Sequence, residues 1–294
     1  MIPDLTKNLL DPKAIRLFRI GVAVASMFNV LVISALILKV PLLTEAILQI
    51  PGSGKFYEAT NLLFDRVPFV GLFFLGLNLL GSVALLKTAY RIPACLLILF
   101  TGSNLYNLMY PYLNMSQYLL LALTTYLLFM DEKADERKGT LGVISRGLTN
   151  TFYIICWAQV LAAYIFPFIY KVQGEMWLNG TALGTILSIP EFSRSFILGF
   201  ARPDHWFLML LTWATLLYQA AFPILIWWKK AKPYLLIAGV MFNLGIGIAM
   251  GLADIAVVMI AAYAILLDEA TIRKLRSWVP VLSKRKAADL SSSA

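Results

Sequence analysis

The hydrophobic residues of this chain are gathered into long continuous runs, and strand-like alternation of apolar and polar residues is missing. Each run approaches the roughly 20 residues that an α-helix needs to cross the hydrocarbon core of a bilayer. Eight helices are therefore predicted, with the fourth and eighth the shortest, at residues 17–39, 68–86, 92–111, 116–130, 150–170, 206–228, 233–251 and 253–267. A membrane β-barrel would show alternating segments of about ten residues. The pattern thus predicts an all-α, polytopic transmembrane helix bundle with about eight spans.

The distribution of basic residues predicts how this bundle lies in the membrane. If the N-terminus is cytoplasmic, 19 lysines and arginines fall on the cytoplasmic side and six fall on the outer side. Basic loops remain in the cytoplasm, so this bias predicts an even number of spans with both termini cytoplasmic. The same asymmetry explains the net charge of +9. No nucleic acid is therefore expected as a partner.

Composition narrows the class of protein further. Of the 294 residues, 60% are hydrophobic and 14% are charged, whereas a soluble protein has about 25% charged residues. An ordinary soluble enzyme, a disordered chain and a disulfide-stapled secreted module are thereby excluded. The two cysteines, Cys95 and Cys156, lie in apolar runs and are expected to be buried thiols; no metal site is expected. We expect one transmembrane domain at residues 14–270, after a cytoplasmic segment at 1–13 and before a basic, disordered cytoplasmic tail at 271–294.

Amides at membrane depth form the first group of candidate functional residues. Asn104 and Asn107 are one turn apart in the third run and share a helix face. Two interpretations stay open for them, namely hydrogen bonds between helices and the lining of a polar cavity. Five further runs carry one amide each, and these would line a polar pocket if they converged: Asn29, Asn78, Gln159, Gln219 and Asn243.

The outer segment after the fifth run carries the second group. It contains, in order, the candidate pocket or loop residues Tyr164, Tyr170, Lys171, Glu175, Trp177 and Gly180. Lys171 follows Tyr164 by seven residues and so lies on about the same helix face. Beside apolar side chains its amine would lose hydration, which would let it serve as a base. The alternative is a lysine that reaches from the membrane to the interface, with Trp177 as an interfacial anchor.

The only histidine of the chain, His205, follows Asp204 at the start of the sixth run. Histidine titrates near neutral pH, which makes it a candidate acid or base. The alternative is a residue that only marks the beginning of a helix.

The order of residues in the outer segment is similar to that of a known family. The residues that carry the similarity are Tyr164, Tyr170, Lys171, Gly174, Trp177, Gly180, Thr181 and Ala182. This order resembles the membrane core of the vitamin K-dependent gamma-carboxylases and their bacterial relatives, the horizontally transferred transmembrane (HTTM) family. Two flanking stretches, Phe18–Gly21 and Met250–Leu252, are similar to the opening arginine motif and the closing spans of that family.

The resemblance implies a role for Lys171. In the carboxylases, a lysine of this loop is the base that deprotonates reduced vitamin K, and the oxygenated product removes a proton from a substrate glutamate, which then captures carbon dioxide. The resemblance thus implies a reduced quinone as cofactor and a secreted peptide as substrate, with Trp177 and Gly180 shaping the loop. Relatives often carry histidine at the position of Asn243 and an acidic residue near Gln219. Because neither amide titrates, and because the sequence lacks the large lumenal domain of the animal enzyme, full protein carboxylation is not expected.

Three hypotheses on function follow. The first is a protein of the bacterial cell membrane with an outward-facing pocket, accessible to lipid or quinol, that modifies or helps to mature an exported peptide or small substrate. The second is a non-catalytic scaffold or immunity-type partner of a neighbouring membrane protein. The third is a transporter, which is disfavoured because the polar residues of the spans are almost all neutral and no repeat is evident.

Overall fold

All regular structure in the described part of the chain is helical. The computed structural model describes residues 11–37, 67–109, 115–199 and 201–277. Helices make up 83% of the structure, and these residues contain no strand. The predicted all-α class is therefore confirmed. The predicted N-terminal segment lies largely outside the described residues, as do positions 278–294 of the predicted tail.

Twelve α-helices are found in the described residues. Their bounds are α1 Pro12–Ile37, α2 Val67–Leu85, α3 Arg91–Met109, α4 Met115–Phe129, α5 Gly139–Lys171, α6 Glu175–Leu178, α7 Ala182–Leu187, α8 Ser195–Leu198, α9 Trp206–Leu225, α10 Lys232–Met250, α11 Ala253–Tyr263 and α12 Glu269–Ser277. Four of them, α1, α5, α9 and α10, are long and apolar enough to span a membrane, and shorter apolar helices occur in α2, α4 and α11. These helices indicate a membrane protein.

Helix α5 begins eleven residues before the predicted start at residue 150. Its 33 residues correspond to about 50 Å, more than the roughly 30 Å of a hydrocarbon core. The additional turns are fixed by Asp131, whose carboxylate accepts hydrogen bonds from Arg137 Nε at 2.5 Å and Ser145 Oγ at 3.0 Å. The backbone N–H of Asp131 donates to Thr149 Oγ1 at 3.0 Å. The hydropathy pattern predicted only the apolar part of α5, from residue 150. The turns before it were missed because polar contacts, and not apolar residues, stabilise them.

The Asp131 contacts predict how the stability of this end of the bundle depends on pH. Burial alone would raise the pKa of Asp131, but hydrogen bonds from the Lys133 N–H, Arg137 and Ser145 lower it below its ordinary value. The ionised carboxylate therefore stabilises the folded state above the unfolded pKa of about 3.9, and this contribution is lost as the pH falls through the folded pKa. We expect Asp131→Asn to lower the unfolding midpoint at pH 7 and to flatten its decline in acid.

The measurement is thermal unfolding in detergent between about pH 7 and pH 3. Glu136→Gln is the matched control, because Glu136 is an exposed acid of the same loop. The control should follow the wild-type curve. If the unfolding midpoint fell by the same amount between pH 7 and pH 3 in the wild type and in Asp131→Asn, the prediction would be contradicted.

Helix α1 packs against α2, α4 and α11 and occupies the centre of one half of the bundle. Its backbone comes close to α11, where a Cβ added to Gly21 would lie 3.2 Å from Ala261 Cα. Arg19, which the sequence places among the cytoplasmic charges and in the stretch Phe18–Gly21, has a side chain that is 2% exposed. It pairs with Glu132, donates to the Leu85 carbonyl, and donates to Thr88 Oγ1 at 3.1 Å. Arg19 therefore connects α1 to the ends of two neighbouring segments.

Candidate functional site

Lys171 is the last residue of α5, and its side chain contacts both α9 and the segment that follows α5. The amine donates a hydrogen bond to Gln219 Oε1 at 3.1 Å. It also lies 4.4 Å from the centre of the Trp177 ring, in cation–π geometry. Gln219 is 4% exposed, whereas Lys171 and Trp177 are half-buried. The structure thus brings three of the predicted residues together, and we name Lys171, Trp177 and Gln219 the lysine site.

Helix α9 holds the segment that follows α5 in place through two hydrogen bonds. Trp213 Nε1 donates to the Leu178 carbonyl at 3.1 Å, and the Leu183 N–H donates to Thr212 Oγ1 at 3.2 Å. Between these contacts, Gly180 has φ +87° and lies on the Trp213 ring, where a Cβ would come within 2.9 Å of Cζ2. Gly180 therefore has a steric reason to be glycine. Sequence reasoning did not identify Trp213 or Thr212, since neither belongs to a motif.

The partner of the Lys171 amine is neutral. In the described residues, no carboxylate lies within ion-pair distance of Lys171. The Gln219 carbonyl accepts a hydrogen bond from an ammonium and also, more weakly, from a neutral amine. It therefore does not hold Lys171 as a permanent cation in the way that a carboxylate would. Glu175 and Tyr170, which were predicted for the same loop, are both exposed.

A second group of predicted residues lies deeper between α5, α9, α10 and α11. Tyr164 and Tyr263 share a hydrogen bond between their hydroxyls. Asn243 Nδ2 lies 2.9 Å from Tyr263 Oη, 3.3 Å from Tyr164 Oη and 2.7 Å from the Gly239 carbonyl. Tyr218 packs edge-on against Tyr164, with ring centres 5.6 Å apart. We name Tyr164, Tyr218, Asn243 and Tyr263 the tyrosine cluster, in which Asn243 connects helices by hydrogen bonds.

The other predicted amides do not all converge on one pocket, although Asn29 and Asn78 border the same small cavity. Asn104 donates to the Phe100 carbonyl of its own helix at 2.8 Å, and Asn107 is exposed. Gln159 accepts a hydrogen bond from Tyr126 at 3.4 Å. One interhelical hydrogen bond of the third run is made by Thr101, which accepts from Asn78 at 2.8 Å. The remaining amide, Asn29, accepts a hydrogen bond from Gln117 at 2.9 Å.

A buried carboxylate that sequence reasoning missed lies next to the Asn29–Gln117 pair. Asp254, in the first turn of α11, is 4% exposed and accepts a hydrogen bond from Ser116 Oγ at 2.6 Å. Asn29, Asn78 and Gln117 border a small cavity that has room for about one water molecule. An acidic residue in the first turn of a helix is common, so the burial of Asp254 could not be recognised from its position in the sequence.

His205 lies at the N-cap position of α9, and its carbonyl accepts the Leu208 N–H at 2.9 Å. Fourteen residues separate His205 from Gln219 on this helix, a distance of roughly 21 Å along its axis. The structure therefore does not bring His205 to the lysine site. Its position agrees with the interpretation that it marks the beginning of a helix.

Comparison of the chain with protein-family models, with curated proteins and with solved structures gives no match.

Proposed function

We propose that this protein is an HTTM-like membrane protein with an outward-facing lysine site that takes up a proton from a lipid-borne quinol, in order to modify or help to mature an exported peptide or another small substrate. The observation that carries the proposal is the Lys171 amine, which is half-buried, rests on the Trp177 ring and has a neutral amide as its hydrogen-bond partner. This arrangement suits a base better than a structural ion pair, because a proton can be gained or lost without breaking a charge pair.

The proposed topology has eight spans, cytoplasmic termini and an outer lysine site. Each of the eight predicted runs overlaps one described helix: α1, α2, α3, α4, α5, α9, α10 and α11. The 19 to six division of basic residues supports the orientation. With this orientation, Lys171 lies at the outer end of α5, in a bacterial cell membrane.

In the proposed reaction, the Lys171 amine accepts the proton of a quinol hydroxyl. The Gln219 carbonyl then accepts a hydrogen bond from the new ammonium, and the face of Trp177 stabilises the positive charge. A reduced quinone would supply the acidic hydroxyl and the reducing equivalents. These residues fit such a group, because they combine one proton acceptor with aromatic and apolar walls.

Access to the site from the lipid is supported by the apolar surface of the outer segment. Large apolar side chains are exposed on both sides of Trp177, at Met176 and Leu178. Exposed apolar residues next to membrane-length helices are suited to the boundary between headgroups and acyl chains. A quinol dissolved in the bilayer would therefore reach Lys171 without crossing water.

The proposal predicts that Lys171→Ala lowers quinol turnover by about 100-fold or more, the usual contribution of a general base. The assay uses purified protein in lipid nanodiscs with reduced menaquinone or a vitamin K analogue, oxygen and bicarbonate, and it measures quinol binding and epoxide formation. Lys171→Arg should be equally inactive, since a guanidinium keeps the charge but does not act as a base. Lys138→Ala, which removes an exposed lysine just before α5, should retain full activity.

Two results would contradict the proposal. Full turnover by a folded Lys171→Ala variant would show that Lys171 is not the base of the reaction. A folded wild type that neither binds nor converts the quinol would instead favour the non-catalytic scaffold.

A further inference from the structure

The end of the bundle opposite the lysine site carries an exposed turn of aromatic and basic residues. Between α9 and α10, four consecutive side chains are exposed: Trp227, Trp228, Lys229 and Lys230. The two indoles are 63% and 64% exposed, although tryptophan is usually buried in a folded protein. We name these four residues the Trp–Lys turn.

The Trp–Lys turn is held in a defined position. Trp227 donates its indole N–H to the Pro223 carbonyl at 2.9 Å, and its ring stacks on Trp157 of α5 at 5.0 Å. The amine of Lys232 lies 5.3 Å from the Trp157 ring and pairs with Asp268 at 2.9 Å. One face of the Trp227 ring therefore packs against Trp157, and the rest of the ring is exposed.

Helix α12 adds further positive charge to this end. It begins one residue after Asp268 and packs against α10, where Lys274 lies 4.4 Å from the Tyr234 ring. Arg273 is exposed on the same helix. Among the described residues, no carboxylate lies within ion-pair distance of Lys229, Lys230 or Arg273. Asp268 pairs with Lys232, and Glu269, one turn before Arg273 on α12, makes no ion pair with it.

We propose that the Trp–Lys turn, together with Arg273 of α12, binds the headgroups of anionic phospholipids. Indoles favour the membrane interface because the ring is apolar and the N–H is polar, so Trp227 and Trp228 place this turn at headgroup depth. Lysine and arginine side chains at that depth attract lipid phosphates. The partner is therefore a lipid of negative net charge, and a zwitterionic lipid would bind more weakly.

The test counts the lipids retained by the full-length protein in detergent, by native mass spectrometry, after equilibration with phosphatidylglycerol or phosphatidylcholine. We expect the wild type to prefer phosphatidylglycerol by about tenfold, because each basic residue near the surface is worth about a factor of five in affinity. The variant Lys229→Gln/Lys230→Gln should lose most of this preference. Added salt should weaken it in the wild type.

The matched control is Lys133→Gln/Lys138→Gln, which removes the same charge from two exposed lysines of the loop before α5. The control should keep the wild-type preference, and both variants should unfold at the wild-type temperature. Equal losses in the two variants would overturn the proposal, since they would show an effect of net charge alone. The absence of a preference in the wild type would overturn it too, as would displacement of the lipid by inorganic phosphate at equal concentration, which would indicate a site for soluble anions.

Discussion

Arg19→Ala is expected to lower the free energy of unfolding by about 3–5 kcal/mol, the usual cost of removing one partner from a buried ion pair. The side chain is 2% exposed, and its contacts lie on two segments, at Leu85 and Thr88 and at Glu132. Without it, the carboxylate of Glu132 stays in a largely buried place, and among the described residues only Thr88 Oγ1 donates a hydrogen bond to it, at 3.0 Å. The Leu85 carbonyl at the end of α2 also loses its arginine donor.

The measurement is denaturant or SDS titration of the protein in detergent micelles. Arg16→Ala is the control, because Arg16 is exposed on the same helix one turn earlier and its loss should change stability by less than about 0.5 kcal/mol. The stability of Arg19→Lys should lie between those of the wild type and Arg19→Ala. An ammonium keeps the positive charge but lacks the planar guanidinium that donates several hydrogen bonds at once. The double variant Arg19→Ala/Glu132→Ala should recover part of the loss. Equal stability of Arg19→Ala and Arg16→Ala would contradict a role for Arg19 in holding the bundle together.

Gly239→Ala is expected to destabilise the protein by about 3 kcal/mol, the upper part of the range for overpacking a core. A Cβ at this position would lie 2.3 Å from Tyr218 Oη and 2.5 Å from Tyr263 Oη. These rings have little room to move, because Tyr263 is 4% exposed and is hydrogen-bonded to Asn243. The methyl group would therefore push Tyr218 and Tyr263 away from α10 and disrupt the hydrogen bond between Asn243 and Tyr263.

The control for this substitution lies on the same helix. A Cβ at Gly245 would meet nothing within 4 Å, so Gly245→Ala should leave stability unchanged or raise it by up to about 1 kcal/mol through helix propensity. Both variants would be compared in the same titration, with tyrosine fluorescence or near-ultraviolet circular dichroism as a probe of the cluster. If the two alanines gave the same stability, the close approach of α10 to the tyrosines would be refuted.

Several features of the candidate site were accessible from the sequence for local reasons. Lys171 was identified because a charged residue at the end of an apolar run is conspicuous, and Gly180 because it follows the lysine in a recognisable order. Gln219 and Asn243 were identified as amides within apolar runs, where a polar group needs a partner. Each of these inferences uses only neighbouring residues.

The partners of these residues were not accessible in the same way. That Lys171 contacts Gln219 depends on how α5 and α9 pack, since 48 residues separate them. The burial of Asp254 and the meeting of Tyr164 with Tyr263 depend on helices that are distant in the chain. The contacts of Arg19 were not accessible for the same reason, because a basic residue at the head of a span follows the general rule for cytoplasmic charges and its neighbours are set by helix packing.

The sequence by itself determined that this protein is helical and apolar enough for a membrane, since the length and continuity of hydrophobic runs reflect the bilayer and the geometry of a single helix. Only the tertiary structure decided which polar residues are partners, because close packing of small residues such as Gly21 and Gly239 sets how the helices meet. It therefore decided that Lys171 shares a site with Gln219 and Trp177, that Asn243 belongs to the tyrosine cluster, and that His205 belongs to neither.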